Sequence, residues 1–187
     1  MSTDKFKHLM KVYAPQNVCF VKGEGAWLWD KNNKKYLDFL SGLAVMNLGH
    51  SNPEINKVIK NQSEELMHVS NGFIIDQQVE LANNLCKLTG LDQAFFCSTG
   101  GEANEAAIKL ARLYGHNMGY ENPVIITMHK AFHGRTMANI SAVSNPKLKA
   151  GFEPVLPGFA YCDYNNIDSL EKCIADCKAN AEQVVGV

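Results

Sequence analysis

Between Ala94 and Gly115 a short apolar run passes through a turn of small residues into a helical stripe, and this change of period restricts the fold more than any other feature of the chain. Ala94-Phe95-Phe96-Cys97 reads as a strand and Ser98 to Gly101 as a turn, while Ala103, Ala106, Ala107, Leu110, Ala111 and Tyr114 share one helical face closed by Gly115. The alternation continues downstream. Val124-Ile125-Ile126-Thr127 and Phe159-Ala160-Tyr161 are apolar strand runs, Leu170 to Cys177 has helical spacing, and Val184-Val185-Gly186-Val187 begins a further strand. Strands alternating with helices are joined by crossovers, which predicts an α/β domain on a mostly parallel sheet. An apolar strand that reaches the last residue without a cap or polar tail is an uncommon place for a domain to finish, so the sequence is expected to stop inside one.

The first third of the chain carries a different pattern. Aromatic and polar residues alternate from Gly23 to Phe39 around the turn Lys31-Asn32-Asn33-Lys34, a hairpin signal. Asn52-Pro53-Glu54 supplies a cap, a first-turn proline and an early acid ahead of Ile55, Val58, Ile59 and Leu66, predicting a helix from Pro53 to His68. A second helix is expected from Asp76 as cap to Gly90 just past its end, with Val79, Ala82, Leu85 and Leu88 on one face.

With 46% hydrophobic and 20% charged residues among 187, the chain has the composition of a globular protein with a packed core. Its 18 basic and 19 acidic side chains show no long run of one sign, which gives no electrostatic basis for binding nucleic acid or an anionic membrane and favours a small-molecule partner. Met1 to Lys11 is too charged for a signal peptide, and no stretch approaches the roughly 20 apolar residues that cross a bilayer, so a cytoplasmic location is expected. The six cysteines read as reduced thiols, mostly core. Cys173 and Cys177 have the spacing of helix-face neighbours rather than of a zinc pair.

Two constellations carry chemistry. In Ser98-Thr99-Gly100-Gly101-Glu102-Ala103-Asn104-Glu105 a strand turns into a helix through glycines. Glycine lets backbone approach an anion, the first-turn N–H groups point at it, and the helix dipole adds favourable potential. The Walker lysine and the third glycine of a dinucleotide fingerprint are missing, and the same spacing also serves a tight turn where glycine only permits close packing. Glu102 would repel a phosphate unless it points away. The second constellation, His129-Lys130-Ala131-Phe132-His133-Gly134-Arg135-Thr136, follows a strand, and ligands of α/β folds collect at the carboxyl ends of parallel strands. Phe132 can stack on a planar ligand and Arg135 can hold a carboxylate in a two-pronged pair, although a surface loop with a packed Phe and a solvated Arg has the same sequence. His129 and His133 lack the intervening residues of a zincin site, which argues against a metal. His50 is read as capping or packing at a helix start and Cys97 as a buried thiol at a strand end, and neither receives a role.

Several ordered matches then make the chain resemble the class III aminotransferases, which depend on pyridoxal 5'-phosphate. They are Gly23-Glu24-Gly25-Ala26-Trp27-Leu28-Trp29-Asp30, the run Tyr36 to Val45, Leu48-Gly49-His50, Gly101-Glu102-Ala103-Asn104-Glu105 and Phe132-His133-Gly134-Arg135-Thr136. The resemblance implies a fold-type-I architecture, with residues 1–70 as an N-terminal segment contributing to a small domain and residues 71–187 as the first part of the cofactor-binding large domain. It implies that the backbone of Gly100 and Gly101 holds the cofactor phosphate, that Phe132 stacks on its ring, and that Arg135 binds the substrate carboxylate. The family usually has a small hydroxyl residue or alanine where Gly101 stands, so only the backbone contribution survives there. It further implies a small-molecule amino donor, 2-oxoglutarate as acceptor and a homodimer, with the Schiff-base lysine and the aspartate at the pyridine nitrogen following the strand at 184–187. These 187 residues by themselves are therefore expected to be inactive. Taken without the resemblance, the residues also admit a non-catalytic phosphate-binding α/β module.

Overall fold

The alternating aromatics near the N-terminus fold into an antiparallel sheet of order β1-β2-β3, formed by β1 (Phe20–Glu24), β2 (Trp27–Asp30) and β3 (Lys35–Leu37). The expected turn at Lys31–Lys34 joins β2 to β3. It is set by Asp30, whose carboxylate accepts the Asn32 and Lys34 N–H groups at 2.8 and 3.0 Å and the Tyr36 hydroxyl at 3.0 Å. Those donors, the Lys34 N–H foremost, hold the Asp30 carboxyl below its ordinary range. Sequence spacing had located only one hairpin; β1 extends the sheet back to Phe20, whose ring meets Tyr36 edge-on at 5.3 Å. The chain is described here by a computed structural model over residues 7–187, so Met1 to Phe6 of the segment read for a leader lie outside the described residues.

Next comes α1 (Ser41–Ala44), a single turn in which all four residues carry positive φ although three of them are not glycine. Left-handed backbone costs about 1–2 kcal/mol per such residue. Asp38 opposes that strain by accepting the Leu40 and Ser41 N–H groups at 3.0 and 2.8 Å, while its other oxygen meets His50 Nε2 at 2.7 Å. The helix α2 (Pro53–Glu65) starts where the Asn-Pro signal put it, with Asn52 accepting from the Glu54 and Ile55 N–H groups. It stops three residues short of His68, because Leu66 turns extended.

Contacts divide the chain into two units, with the boundary between Glu80 and Leu81 inside α3 (Asp76–Thr89). The second unit contains α4 (Gly100–Asn117), β4 (Pro123–Met128), α5 (Met137–Ala142), β5 (Phe159–Cys162), α6 (Ile167–Ala179) and β6 (Gln183–Gly186). Its sheet is parallel with order β5-β4-β6, as alternation predicts. The central strand β4 is covered on both faces, with Val124, Ile126 and Thr127 buried. From β4 the chain crosses to β5 on one side and then returns to β6 on the other. Right-handed crossovers in opposite directions put their helices on opposite faces. Accordingly α4 packs with α5, β4 and β6, and α6 packs on β5 and β6.

Four expectations are corrected. Residues 94–97 form no strand: no neighbour among the described residues pairs with them, and without one an apolar run has nowhere to place its amides or side chains, so Phe95 is exposed. Cys97 is consequently exposed rather than a buried thiol, and only Cys162 and Cys177 of the six free cysteines are buried, so the thiols are not mostly core. Gly115 does not close its helix; it is buried within α4, which continues to Asn117. No helix among the described residues is long and apolar enough to cross a membrane.

Candidate functional site

In the order β5-β4-β6 the chain leaves the carboxyl end of β4 toward β5 and the carboxyl end of β5 back across to β6, and ligands of such sheets bind outside the carboxyl ends of strands whose connections diverge. A cavity of about 290 Å³ lies between α4 and the sheet, lined from Asn104 to Ala111 on the helix and from Ile125 to Met128 on β4, with His133 of the following loop and Val187 also on its wall. Of the two constellations, Asn104 and His133 line it.

At the first, Thr99 leaves helical geometry and its hydroxyl accepts the Glu102 N–H at 3.1 Å, capping α4. The Glu102 carboxylate reaches back to accept the Ser98 N–H at 2.6 Å, a reciprocal cap that occupies the acid within the turn. Among the described residues nothing accepts the N–H of Gly100 or of Gly101, and a Cβ on Gly100 would meet no atom within 4 Å. Two amides without an acceptor at the positive end of an 18-residue helix fit an anion such as a phosphate monoester.

The second constellation leaves β4 as a loop and is fastened to α4 at several points. Asn104 Nδ2 donates to the His133 carbonyl at 2.7 Å, the Thr136 hydroxyl donates to the Glu105 carboxylate, and Asn139 Nδ2 donates to the Gly101 carbonyl at 2.9 Å. Gly134 has φ +123°, and a Cβ there would stand 2.5 Å from Asn139 Nδ2, so this position excludes a side chain on two counts. Phe132 and Arg135 are both exposed, with the guanidinium 5.8 Å from the ring centroid. An Arg so placed keeps its donors for a ligand while its flat face rests on the aromatic. His133 is half-buried, its Nε2 has no partner among the described residues, and burial pushes its imidazole below the ordinary range.

None of Gly100, Gly101, Phe132 and Arg135 lines that cavity; the glycines stand in the first turn of α4, and Phe132 and Arg135 in the loop that Asn104 fastens to it. Sequence reasoning quoted Asn104, Glu105 and Thr136 without a use, and it passed over Asn139. The available signal was an asparagine inside a helical stretch, where its low propensity asks for a reason.

An α/β protein with two acceptor-free amides at a helix start and an aromatic–arginine loop fastened beside it at the end of a parallel strand is the class these features define. The aminotransferase class-III family model matches residues 10–186, and the chain belongs to that family. It is 52% identical over 169 residues to an acetylornithine aminotransferase of Nitrosomonas europaea, covering 90% of this chain and 43% of that protein. Among solved structures it resembles the ornithine aminotransferase of Toxoplasma gondii, with TM-score 0.88 and 27% identity over 97% of this chain and 42% of that one. It also resembles the N-acetylornithine aminotransferase of Stenotrophomonas maltophilia, with TM-score 0.73 and 31% identity over 92% and 42% respectively. The fold is the fold-type-I architecture of pyridoxal-phosphate-dependent transferases. The chain spans less than half the length of these relatives.

Proposed function

We propose that these residues are the N-terminal part of a pyridoxal-phosphate-dependent aminotransferase that moves the δ-amino group of N-acetylornithine to 2-oxoglutarate, a step of arginine biosynthesis. The observation that carries the reaction class is the pair of unpartnered amides at Gly100 and Gly101, fastened beside the Phe132–Arg135 loop. The choice of donor rests on the 52% identity to an acetylornithine aminotransferase. In this reading residues 1–70 contribute to the small domain and residues 71–187 begin the cofactor domain of a cytoplasmic homodimer.

Pyridoxal phosphate, when bound, supplies an electron sink for the carbon that exchanges its amino group. The residues present bind and orient. The Gly100 and Gly101 amides hold the phosphate through backbone donors that no side-chain motion can withdraw. Phe132 offers its face to the ring, and Arg135 takes the carboxylate of donor and acceptor in turn through paired charge-assisted hydrogen bonds. The proton-handling lysine and the aspartate that keeps the pyridine nitrogen protonated belong to the polypeptide beyond Val187, so the 187 residues alone are expected to turn nothing over.

A second reading, with ornithine as donor, is favoured by the higher TM-score of 0.88 to the ornithine enzyme. Steady-state turnover of the full-length protein with N-acetylornithine, succinylornithine, ornithine and 4-aminobutyrate tests both. The highest kcat/KM is expected for N-acetylornithine. Equal values for all four would remove that assignment, and a preference for ornithine would establish the second reading.

A further inference from the structure

Asn139 is 0% exposed, yet its carboxamide is only half satisfied: Nδ2 donates to the Gly101 carbonyl at 2.9 Å, and Oδ1 accepts nothing among the described residues. The assignment of the two ends is decided by its partner, since only the NH₂ end attracts a carbonyl oxygen. An amide buried with a single hydrogen bond is costly, and an apolar side chain of the same volume would fill this space without that cost. Packing therefore does not account for asparagine here.

The position of its bond does. Gly100 and Gly101 are adjacent residues without Cβ in the first turn of α4, the most freely rotating pair that turn can contain. A carbonyl has a second lone pair beyond the one its helix uses, and Asn139 takes that of Gly101 from outside the helix. The carboxamide also presses on two glycines: a Cβ on Gly101 would lie 3.3 Å from Nδ2, a tight contact, and one on Gly134 would clash with it at 2.5 Å.

We propose that Asn139 is a positioning residue for the phosphate anchor. Through the Gly101 carbonyl it fixes the Gly101–Glu102 peptide plane, which limits how the adjoining planes that carry the Gly100 and Gly101 N–H groups can turn toward a phosphate monoester, and its bulk crowds a side chain at position 101 and excludes one at 134. The inference rests on the anchor described under the proposed function.

The test uses the full-length protein and two probes, pyridoxal phosphate and pyridoxal, which lacks the phosphate. Their dissociation constants are read by absorbance titration, with Tm recorded for each variant. Wild type is expected to bind pyridoxal phosphate much more tightly than pyridoxal. Asn139→Ala is expected to weaken pyridoxal phosphate about tenfold, the scale of one hydrogen bond in a partly satisfied network, while pyridoxal binding stays the same. Gly101→Ala is expected to do likewise even though alanine is the better helix former, and the double variant to lose no more than Asn139→Ala alone, because removing the carboxamide makes room for the new methyl group. An unchanged ratio of the two dissociation constants in Asn139→Ala overturns the inference. Should that variant not fold, an unchanged ratio in Gly101→Ala does so. A wild-type ratio near one would instead remove the anchor itself, and the inference with it.

Discussion

The Asn104 side chain on α4 donates through Nδ2 to the carbonyl oxygen of His133 at 2.7 Å, joining residues 29 positions apart. This bond brings the helix that carries the two free amides to the loop that carries Phe132 and Arg135. Asn104→Ala leaves the partly buried His133 carbonyl without its donor. A loss of about 1 kcal/mol in urea denaturation is expected, from the usual value of such a bond. The full-length enzyme should lose turnover as well, and unchanged kinetics would mean the loop holds its place without the clasp.

Arg135 is exposed and touches Phe132 rather than a carboxylate of the protein, so its removal should spare the fold. Arg135→Ala and Arg135→Lys in the full-length protein are expected to keep the wild-type Tm and lower kcat/KM by about 10- to 150-fold, the range for losing a hydrogen bond to a charged group. Lysine should not rescue, because a point charge does not reproduce the planar two-pronged pair. Wild-type kcat/KM in Arg135→Lys would argue against bidentate binding.

Asp38 links α1 to His50, and the His50 hydrogen bond, followed by those from the Ser41 and Leu40 N–H groups, holds its carboxyl below the ordinary 3.8. A depressed carboxyl stabilises the fold above its unfolded value and loses that contribution as pH falls through the folded one. The stability gap between wild type and Asp38→Asn should therefore be widest above about pH 4 and close in stronger acid. Urea midpoints taken across that range would reveal a gap independent of pH if the carboxylate contributed nothing.

Cys177 is buried within α6, and burial pushes its thiol up to about 11, whereas Cys19 and Cys97 are exposed. The thiolate is the reactive form, so iodoacetamide at neutral pH should label Cys19 and Cys97 and spare Cys177 until denaturant is added. Peptide mass spectrometry of the labelled protein distinguishes the sites. Early labelling of Cys177 would show that α6 opens readily.

Much of this architecture is legible in the amino-acid sequence itself. The helical stripe from Ala103 to Tyr114, the glycines ahead of it, the Asn52-Pro53 start of α2 and the alternation that implies a parallel sheet are local or periodic signals, acting within a few residues of one another. They sufficed to draw attention to Gly100, Gly101, Phe132 and Arg135. Tertiary structure alone decided the rest. A strand exists only with a neighbour, so Ala94 to Cys97 stayed unpaired despite their composition and left Cys97 exposed. The left-handed turn at Ser41–Ala44 needs Asp38 and its hydrogen bonds to hold it, which no propensity encodes. The meeting of the two loops depends on Asn104 with His133 and on Asn139 with Gly101, contacts 29 and 38 positions apart, because side-chain hydrogen bonds across such distances form only once the sheet has set both partners in place.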